Sequence, residues 1–233
     1  IWEGRILILL GTIANAGAII IGGIAGSFFR KGISERFSNI IMSVLGLFTL
    51  VLGMMFAVDT QNALVVIFSL VIGSVIGEWI DIEKRMNDLG DYVQGKLNSG
   101  EGSFSKGFVT ASLLFCVGTM SIMGSLQSGL MNNHNILLTK SILDGTISVV
   151  FASTLGIGVV LSSLPVLVYQ GSIALLASSV APYLSEAVIT EMTAVGGVLL
   201  VGMGINLLET RKLKVGNMLP AIFLPIILML FMK

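Results

Sequence analysis

A few polar side chains interrupt the long apolar runs of this sequence, and their chemistry could serve a function. Asn15, Asp144 and Gln170 each stand in a separate apolar run. An amide or carboxylate in such a run needs a hydrogen-bonding partner, because burying it unpaired is costly. That partner is either a neighbouring helix or a bound solute or ion, and the residue types alone leave both explanations open.

The apolar run around residues 116–125 is the richest in hydroxyl groups. Thr119, Ser121 and Ser125 lie there among two glycines. This pattern favours a helix that breaks or kinks and exposes backbone groups, a device that transporters use to bind ions and solutes. Close packing of small residues between helices is the alternative explanation.

Two charged residues stand at the start of the next apolar run. Lys140 and Asp144 are four residues apart and therefore share one face of a helix. They predict either a structural ion pair or a carboxylate at Asp144 that couples solute movement to Na⁺ or H⁺. The predicted solute or ion path consists of Asn15, Thr119, Ser121, Ser125, Asp144, Tyr169 and Gln170.

Composition places the chain in a lipid bilayer. Its mean hydropathy is +0.98, and 11% of its residues are charged, against about 25% in a soluble protein. The net charge is zero, so nothing indicates a nucleic-acid partner. One cysteine and one histidine exclude metal sites built from several of either residue. The sequence contains no nucleotide-binding P-loop and no HExxH motif, and we expect neither an enzyme nor a bound cofactor.

Apolar runs long enough to cross a bilayer follow one another along the chain. A membrane-spanning helix needs about 20 mostly apolar residues. This rule predicts an all-α, polytopic membrane helix bundle of about eight transmembrane helices, some of them discontinuous or kinked. The predicted spans are 6–28, 37–58, 62–80, 107–130, 141–162, 165–183, 188–208 and 215–232. We place the break between the fifth and sixth spans at residues 162–165. The stretch 141–183 forms either two full spans or a re-entrant segment.

The basic residues predict the orientation of these spans. Most of the 13 lysines and arginines fall in the loops after spans one, three, five and seven: Arg30, Lys31, Arg36, Lys84, Arg85, Lys96, Lys106, Arg211, Lys212 and Lys214. Cytoplasmic loops carry such an excess of positive charge. We therefore expect both termini on the extracytoplasmic side.

The chain is predicted to form a single membrane domain, 1–233, with one amphipathic cytoplasmic segment at 81–106. Short sequences that occur twice, such as GTI at 11–13 and again at 145–147, suggest two parallel four-helix repeats, 1–131 and 136–233. Glycines spaced four apart, in two of the spans, favour close helix crossings within one chain or in a homodimer.

Several longer motifs carry a resemblance to a known family. They are FCVGTM at 115–120, IMGSL at 122–126, KSILD at 140–144, FASTLGIGV at 151–159 and LPVLVYQG at 164–171, with GTIAN at 11–15. The sequence resembles the YqgA-like family of bacterial inner-membrane proteins, whose function is unknown. The resemblance implies a bacterial plasma-membrane transporter, with an acidic residue in relatives where Ser128 stands here. It implies no substrate and no site residues.

These observations together favour a secondary transporter or facilitator of a small polar solute or ion, with the lipid bilayer as its surroundings. The coupling ion, if there is one, is Na⁺ or H⁺. An ion channel is a close alternative. A non-transporting scaffold, which would bind a partner protein through 81–106, is the alternative from a different class.

Overall fold

The structure is a computed structural model that describes residues 2–30, 34–85, 88 and 104–231. No β-strand occurs among them. The α-helices are α1 (Trp2–Arg30), α2 (Glu35–Val58), α3 (Ala63–Ile80), α4 (Phe104–Cys116), α5 (Thr119–Met131), α6 (Asn135–Leu155), α7 (Gly158–Leu161), α8 (Ser163–Leu175), α9 (Ala177–Val180), α10 (Glu186–Leu207) and α11 (Leu224–Phe231). Two 3₁₀ helices cover Ala181–Tyr183 and Val215–Phe223.

The predicted all-α membrane architecture is confirmed, but the count of eight spans is not. In the described part of the chain, six helical segments are long and apolar enough to cross a bilayer, and one of them, Gly158–Leu175, comprises α7 and α8 together. The bent pair of α4 and α5 makes a seventh if it is one span. The predicted span 215–232 is instead a nine-residue 3₁₀ helix followed by the short helix α11. Pro220 lies inside that 3₁₀ helix, where a proline cannot donate the hydrogen bond that an α-helix needs.

The break between the fifth and sixth predicted spans lies earlier than residues 162–165. Helix α6 ends at Leu155, and Gly156 follows with a φ of 78°, a left-handed conformation that favours glycine. Pro165 does not end a helix. It is the third residue of α8, a first-turn position that tolerates proline.

The chain divides into two compact units, and the first comprises Ile1–Ser38 and Gly100–Pro182. Its central contact is α1 against α6, and α8 packs against both α1 and α5. The first contact is close because a Cβ at Gly22 would collide with the carbonyl oxygen of Gly145, and one at Gly26 with that of Val149. Glycines on α1 thus let two helix backbones approach directly.

The second unit comprises Asn39–Ser99 and Tyr183–Lys233. A Cβ at Gly53 of α2 would lie 2.6 Å from the carbonyl oxygen of Gly197 on α10. A Cβ at Gly77 of α3 would collide with the Asn217 carbonyl oxygen on the 3₁₀ helix. Glycines therefore serve contacts within the chain in this unit too, and the homodimer stays a prediction.

Each unit draws residues from both predicted repeat halves, 1–131 and 136–233. The internal repeat itself stays a prediction. The amphipathic cytoplasmic segment 81–106 falls largely on residues 86–87 and 89–103, which lie outside the described residues.

A polar cluster joins α2, α3 and α10 in the second unit. The buried carboxylate of Glu191, on α10, accepts hydrogen bonds from the Thr60 hydroxyl at 2.6 Å and from the backbone N–H groups of Gln61 at 2.8 Å and Asn62 at 3.0 Å. Asn62 is itself the N-cap of α3. Glu191 thus adds negative charge at the N-terminus of α3, where the helix dipole favours it.

A second cluster holds the far end of α3. Glu78 pairs with Lys214 and accepts a hydrogen bond from the Asn217 amide at 2.6 Å. Glu83, beyond the helix, accepts from the Gly216 N–H at 3.0 Å. Partial burial raises the pKa of the Glu83 carboxyl, and the Gly216 bond opposes that shift.

Candidate functional site

Three of the sequence-predicted residues meet in one hydrogen-bonded cluster inside the first unit. The amide nitrogen of Asn15, on α1, donates to Asp144 Oδ2 on α6 at 3.0 Å and to Gln170 Oε1 on α8 at 3.3 Å. All three side chains are buried. Because a carboxylate can only accept, Asp144 determines which end of the Asn15 amide faces it.

Lys140 completes the charge balance of this cluster. Its ammonium nitrogen lies 2.9 Å from Asp144 Oδ1 and 2.9 Å from Asp144 Oδ2. Both side chains are buried, Lys140 on the same face of α6 one turn before Asp144. The two side chains form an ion pair, and Lys140 lies within a helix rather than in the extracytoplasmic loop that the spans predicted. The pair contributes no net charge to the cluster.

The cluster continues to a break between two helices. Gln170 Nε2 donates to the Ser121 hydroxyl at 3.2 Å, and Ser121 donates to the carbonyl oxygen of Phe115 at 2.9 Å. Phe115 belongs to the last turn of α4, whose carbonyl groups lack intrahelical donors. Ser121 therefore bridges the 60° bend between α4 and α5. Gly118 makes that bend with a φ of 115°.

The cluster lies well inside the predicted membrane core. Asn15 is eight residues beyond Leu7, where the apolar stretch of α1 begins, which is about 12 Å at 1.5 Å per residue. Asp144 is nine residues beyond Asn135, the start of α6, or about 14 Å. These distances approach the middle of a hydrocarbon core that is about 30 Å thick.

Two buried oxygen atoms beside the cluster have no hydrogen-bond partner in the described part of the chain. They are Asn15 Oδ1 and Thr12 Oγ1. Both residues are fully buried, and they lie three positions apart on one face of α1. Buried polar atoms are almost always paired, so these two atoms are exceptions within the polar interior of this unit.

The other predicted path residues differ in their placement. Ser125 is buried on α5 and donates to the carbonyl oxygen of Ser121 at 2.7 Å, so its hydroxyl serves the helix itself. Tyr169 is half-buried on α8, next to Gln170. Thr119 is the first residue of α5, and its side chain lies outside the described part of the structure.

Ser128 links α1, α5 and the turn before α6 in the first unit. Its hydroxyl donates to the Ile8 carbonyl oxygen at 2.7 Å and lies 2.7 Å from His134 Nδ1. A hydroxyl carries one hydrogen, so the second bond requires His134 Nδ1 to be the donor. A serine at this position thus links α1, α5 and the turn before α6.

The sequence pattern missed two features of the polar interior. Thr12 forms a polar point with Asn15 and Gly17 in the first predicted span, but the predicted path did not include it. Glu191 was not singled out, although a carboxylate in an apolar run is itself a signal. No group of three or more His, Cys, Asp or Glu side chains within the described ranges could hold a metal ion.

Residues 10–230 match the family described as "Protein of unknown function (DUF554)". The chain belongs to this family. It is 35% identical over 221 residues to the uncharacterized membrane protein YdfK of Bacillus subtilis (strain 168), covering 93% of this chain and 94% of that protein. It is 30% identical to the uncharacterized protein YqgA of Escherichia coli (strain K12), with the same coverage. No solved structure gives a significant match to this DUF554 chain. The resemblance to the YqgA-like family is thereby confirmed.

Proposed function

We propose that this DUF554 protein is a secondary transporter or facilitator of a small polar solute or ion across the bacterial plasma membrane. The proposal rests chiefly on the buried cluster of Asn15, Asp144, Gln170 and Ser121 at a helix break. Polar groups at this depth cost free energy, and transporters place them at the midpoint of broken helices to bind a solute. The positive charge of the loops supports an orientation with both termini extracytoplasmic.

A purely structural network would satisfy its own members, and this one does not. Thr12 Oγ1 and Asn15 Oδ1 lack partners among the described residues, while the adjoining donors and acceptors are paired. A binding role accounts for the two atoms, because a solute or ion would supply the missing partner. Asp144 could couple solute movement to Na⁺ or H⁺ in such a mechanism, and a channel would use the same groups without coupling.

Uptake by proteoliposomes that contain the purified protein tests this function. The assay compares the native protein with Gln170→Ala and Asn15→Ala, using labelled amino acids, polyols and Na⁺ as probes. The control is Gln127→Ala, because Gln127 lies on the same bundle but its side chain accepts only from the exposed side chain of Asn133 among the contacts described for it. Correct folding is verified by helical circular dichroism.

We expect uptake of at least one probe that falls to background in the two cluster variants and is unchanged in Gln127→Ala. Uptake that persists in both cluster variants would show that the path lies elsewhere. No uptake of any probe by the native protein would favour the scaffold role, and the 81–106 segment would then be used to search for a partner protein.

A further inference from the structure

Resting on that proposed function, we infer that the site accepts an electroneutral solute that donates an N–H or O–H hydrogen bond to Asn15 Oδ1 and also pairs with the Thr12 hydroxyl. The solute is either uncharged or zwitterionic. The inference follows from the direction of each hydrogen bond in the cluster, from its charge balance, and from the space beside Thr12.

The first step concerns the Asn15 amide. Both hydrogens of its nitrogen are used, one by Asp144 and one by Gln170. The remaining polar atom, Oδ1, can only accept a hydrogen bond. Any group that pairs with it must therefore carry a donor or a positive charge. A solute with acceptors alone cannot satisfy it.

The second step concerns Thr12. A threonine in a helix ordinarily donates its hydroxyl to the carbonyl four residues earlier, which here is that of Ile8. That carbonyl oxygen instead accepts from Ser128. The Thr12 hydroxyl stays unpartnered among the described residues, and it lies about one helical turn from Asn15. Two neighbouring atoms on α1 are thus available to one ligand.

The third step is electrostatic. Lys140 and Asp144 already neutralise each other across two 2.9 Å contacts. A solute with a net charge would enter a buried site without an unpaired counter-charge, and that costs several kcal/mol. A bare cation is a poor fit for a second reason. Hard cations such as Ca²⁺ and Mg²⁺ take about six oxygen ligands, whereas two oxygens are unpartnered here.

The fourth step concerns room. A Cβ added at Gly171 of α8 would lie 3.5 Å from Leu9 Cδ2 and 4.0 Å from Thr12 Cγ2, which is ordinary contact distance. The face of α8 opposite Thr12 thus accepts at least a methyl group without collision. Gln170 is the residue next to Gly171, and its 3.3 Å bond from Asn15 is the longest in the cluster and the easiest to exchange.

Binding to the full-length protein in detergent tests the inference, with the unfolding temperature and calorimetry as readouts. The donor-bearing neutral probes are glycine, alanine, serine, urea and glycerol. Trimethylglycine is the matched control solute, because it is also a zwitterion but has no N–H group. Sodium chloride and potassium acetate test for charged ligands.

The matched variants are Thr12→Val and Gly171→Ala. Thr49→Val is the control for the first, because Thr49 is fully buried in the second unit and its hydroxyl donates to the Leu45 carbonyl oxygen. Gly17→Ala is the control for the second, because a Cβ there would meet nothing within 4 Å. Neither control residue belongs to the cluster.

We expect at least one donor-bearing probe to bind, trimethylglycine not to bind, and Thr12→Val to weaken the binding about tenfold, the effect of one hydrogen bond in a buried site. Gly171→Ala should weaken it as well, without lowering the unfolding temperature. If no donor-bearing probe binds, or if Thr12→Val binds as the native protein does, the inference is wrong. If Thr12→Val binds the probe as the native protein does, a bound water is the partner of Thr12 Oγ1 and Asn15 Oδ1.

The failures of the two proposals are distinguishable. Binding and uptake of Na⁺ or acetate that depend on Gln170 would retain the transport function and overturn the solute class. Binding of a donor-bearing probe that depends on Thr12, without any uptake in proteoliposomes, would retain the site and overturn transport.

Discussion

The most direct test of the cluster is to remove the two charges of the Lys140–Asp144 pair, first one at a time and then together, and to compare the stabilities of the variants. Lys140→Met leaves the Asp144 carboxylate buried, with the Asn15 amide as the remaining donor described for it. Removing one partner of a buried pair costs about 3–5 kcal/mol in soluble proteins. We expect Lys140→Met to lower the free energy of unfolding by about 3 kcal/mol, because polar groups also find hydrogen-bond partners in the unfolded state within a membrane.

Asp144→Asn should destabilise the fold by a similar amount, because it retains an oxygen that can accept but leaves the Lys140 ammonium group without a counter-charge. The double variant removes both charges. It should therefore be more stable than either single variant, by about 2 kcal/mol. This order of stabilities is the specific signature of a buried, mutually compensating pair.

Reversible unfolding in mixed micelles, followed by helical circular dichroism, measures all four proteins. Lys214→Met is the control, because the Lys214–Glu78 pair has side-chain exposures of 60% and 56%, and exposed pairs contribute little to stability. A double variant as unstable as the two single effects added together would refute the reasoning. So would single variants no less stable than the control.

Three further predictions concern backbone geometry and capping. Gly118→Ala should destabilise the fold by about 1–3 kcal/mol, measured by the same unfolding assay, because its φ of 115° strains any residue with a Cβ; an unchanged stability would mean that the helix break has another geometry. Glu191→Ala should lower the unfolding temperature more than Glu191→Gln, because the amide still accepts part of the bonding that holds Asn62; equal effects would contradict this capping role. Gly77→Ala should disrupt folding, whereas Gly17→Ala should not, since only the first added Cβ collides with a backbone; comparable expression and stability of the two variants would argue against that contact.

The sequence predicted the members of the site better than their pairing. Asn15, Asp144, Gln170 and Ser121 were found because a polar group in an apolar run must meet a partner. Which of them share a hydrogen bond depends on which helices are neighbours, and the spacing within one helix carries no such information. The Lys140–Asp144 pair is the exception, because both partners lie on one helix face.

The missed features have physical reasons of their own. Gly156 ends α6 through its positive φ, but the chain contains 28 glycines, so a glycine alone does not predict a break. Glu191 stands close to the start of α10, five residues after Glu186. Acidic residues are typical of the N-terminal end of a helix, so its sequence position alone does not indicate burial. Its burial comes from the loop before α3, a contact between segments far apart in sequence.

The 3₁₀ geometry of Val215–Phe223 changes how far the last segment of the chain reaches. Nine residues at about 2.0 Å each, followed by the eight residues of α11 at about 1.5 Å each, extend about 30 Å. The same residues as a regular α-helix would extend about 26 Å. Although it has fewer than the about 20 residues of a typical spanning α-helix, the segment therefore has a summed helical rise similar to the thickness of the hydrocarbon core. Tighter winding lengthens it by nearly one α-helical turn, without an added residue.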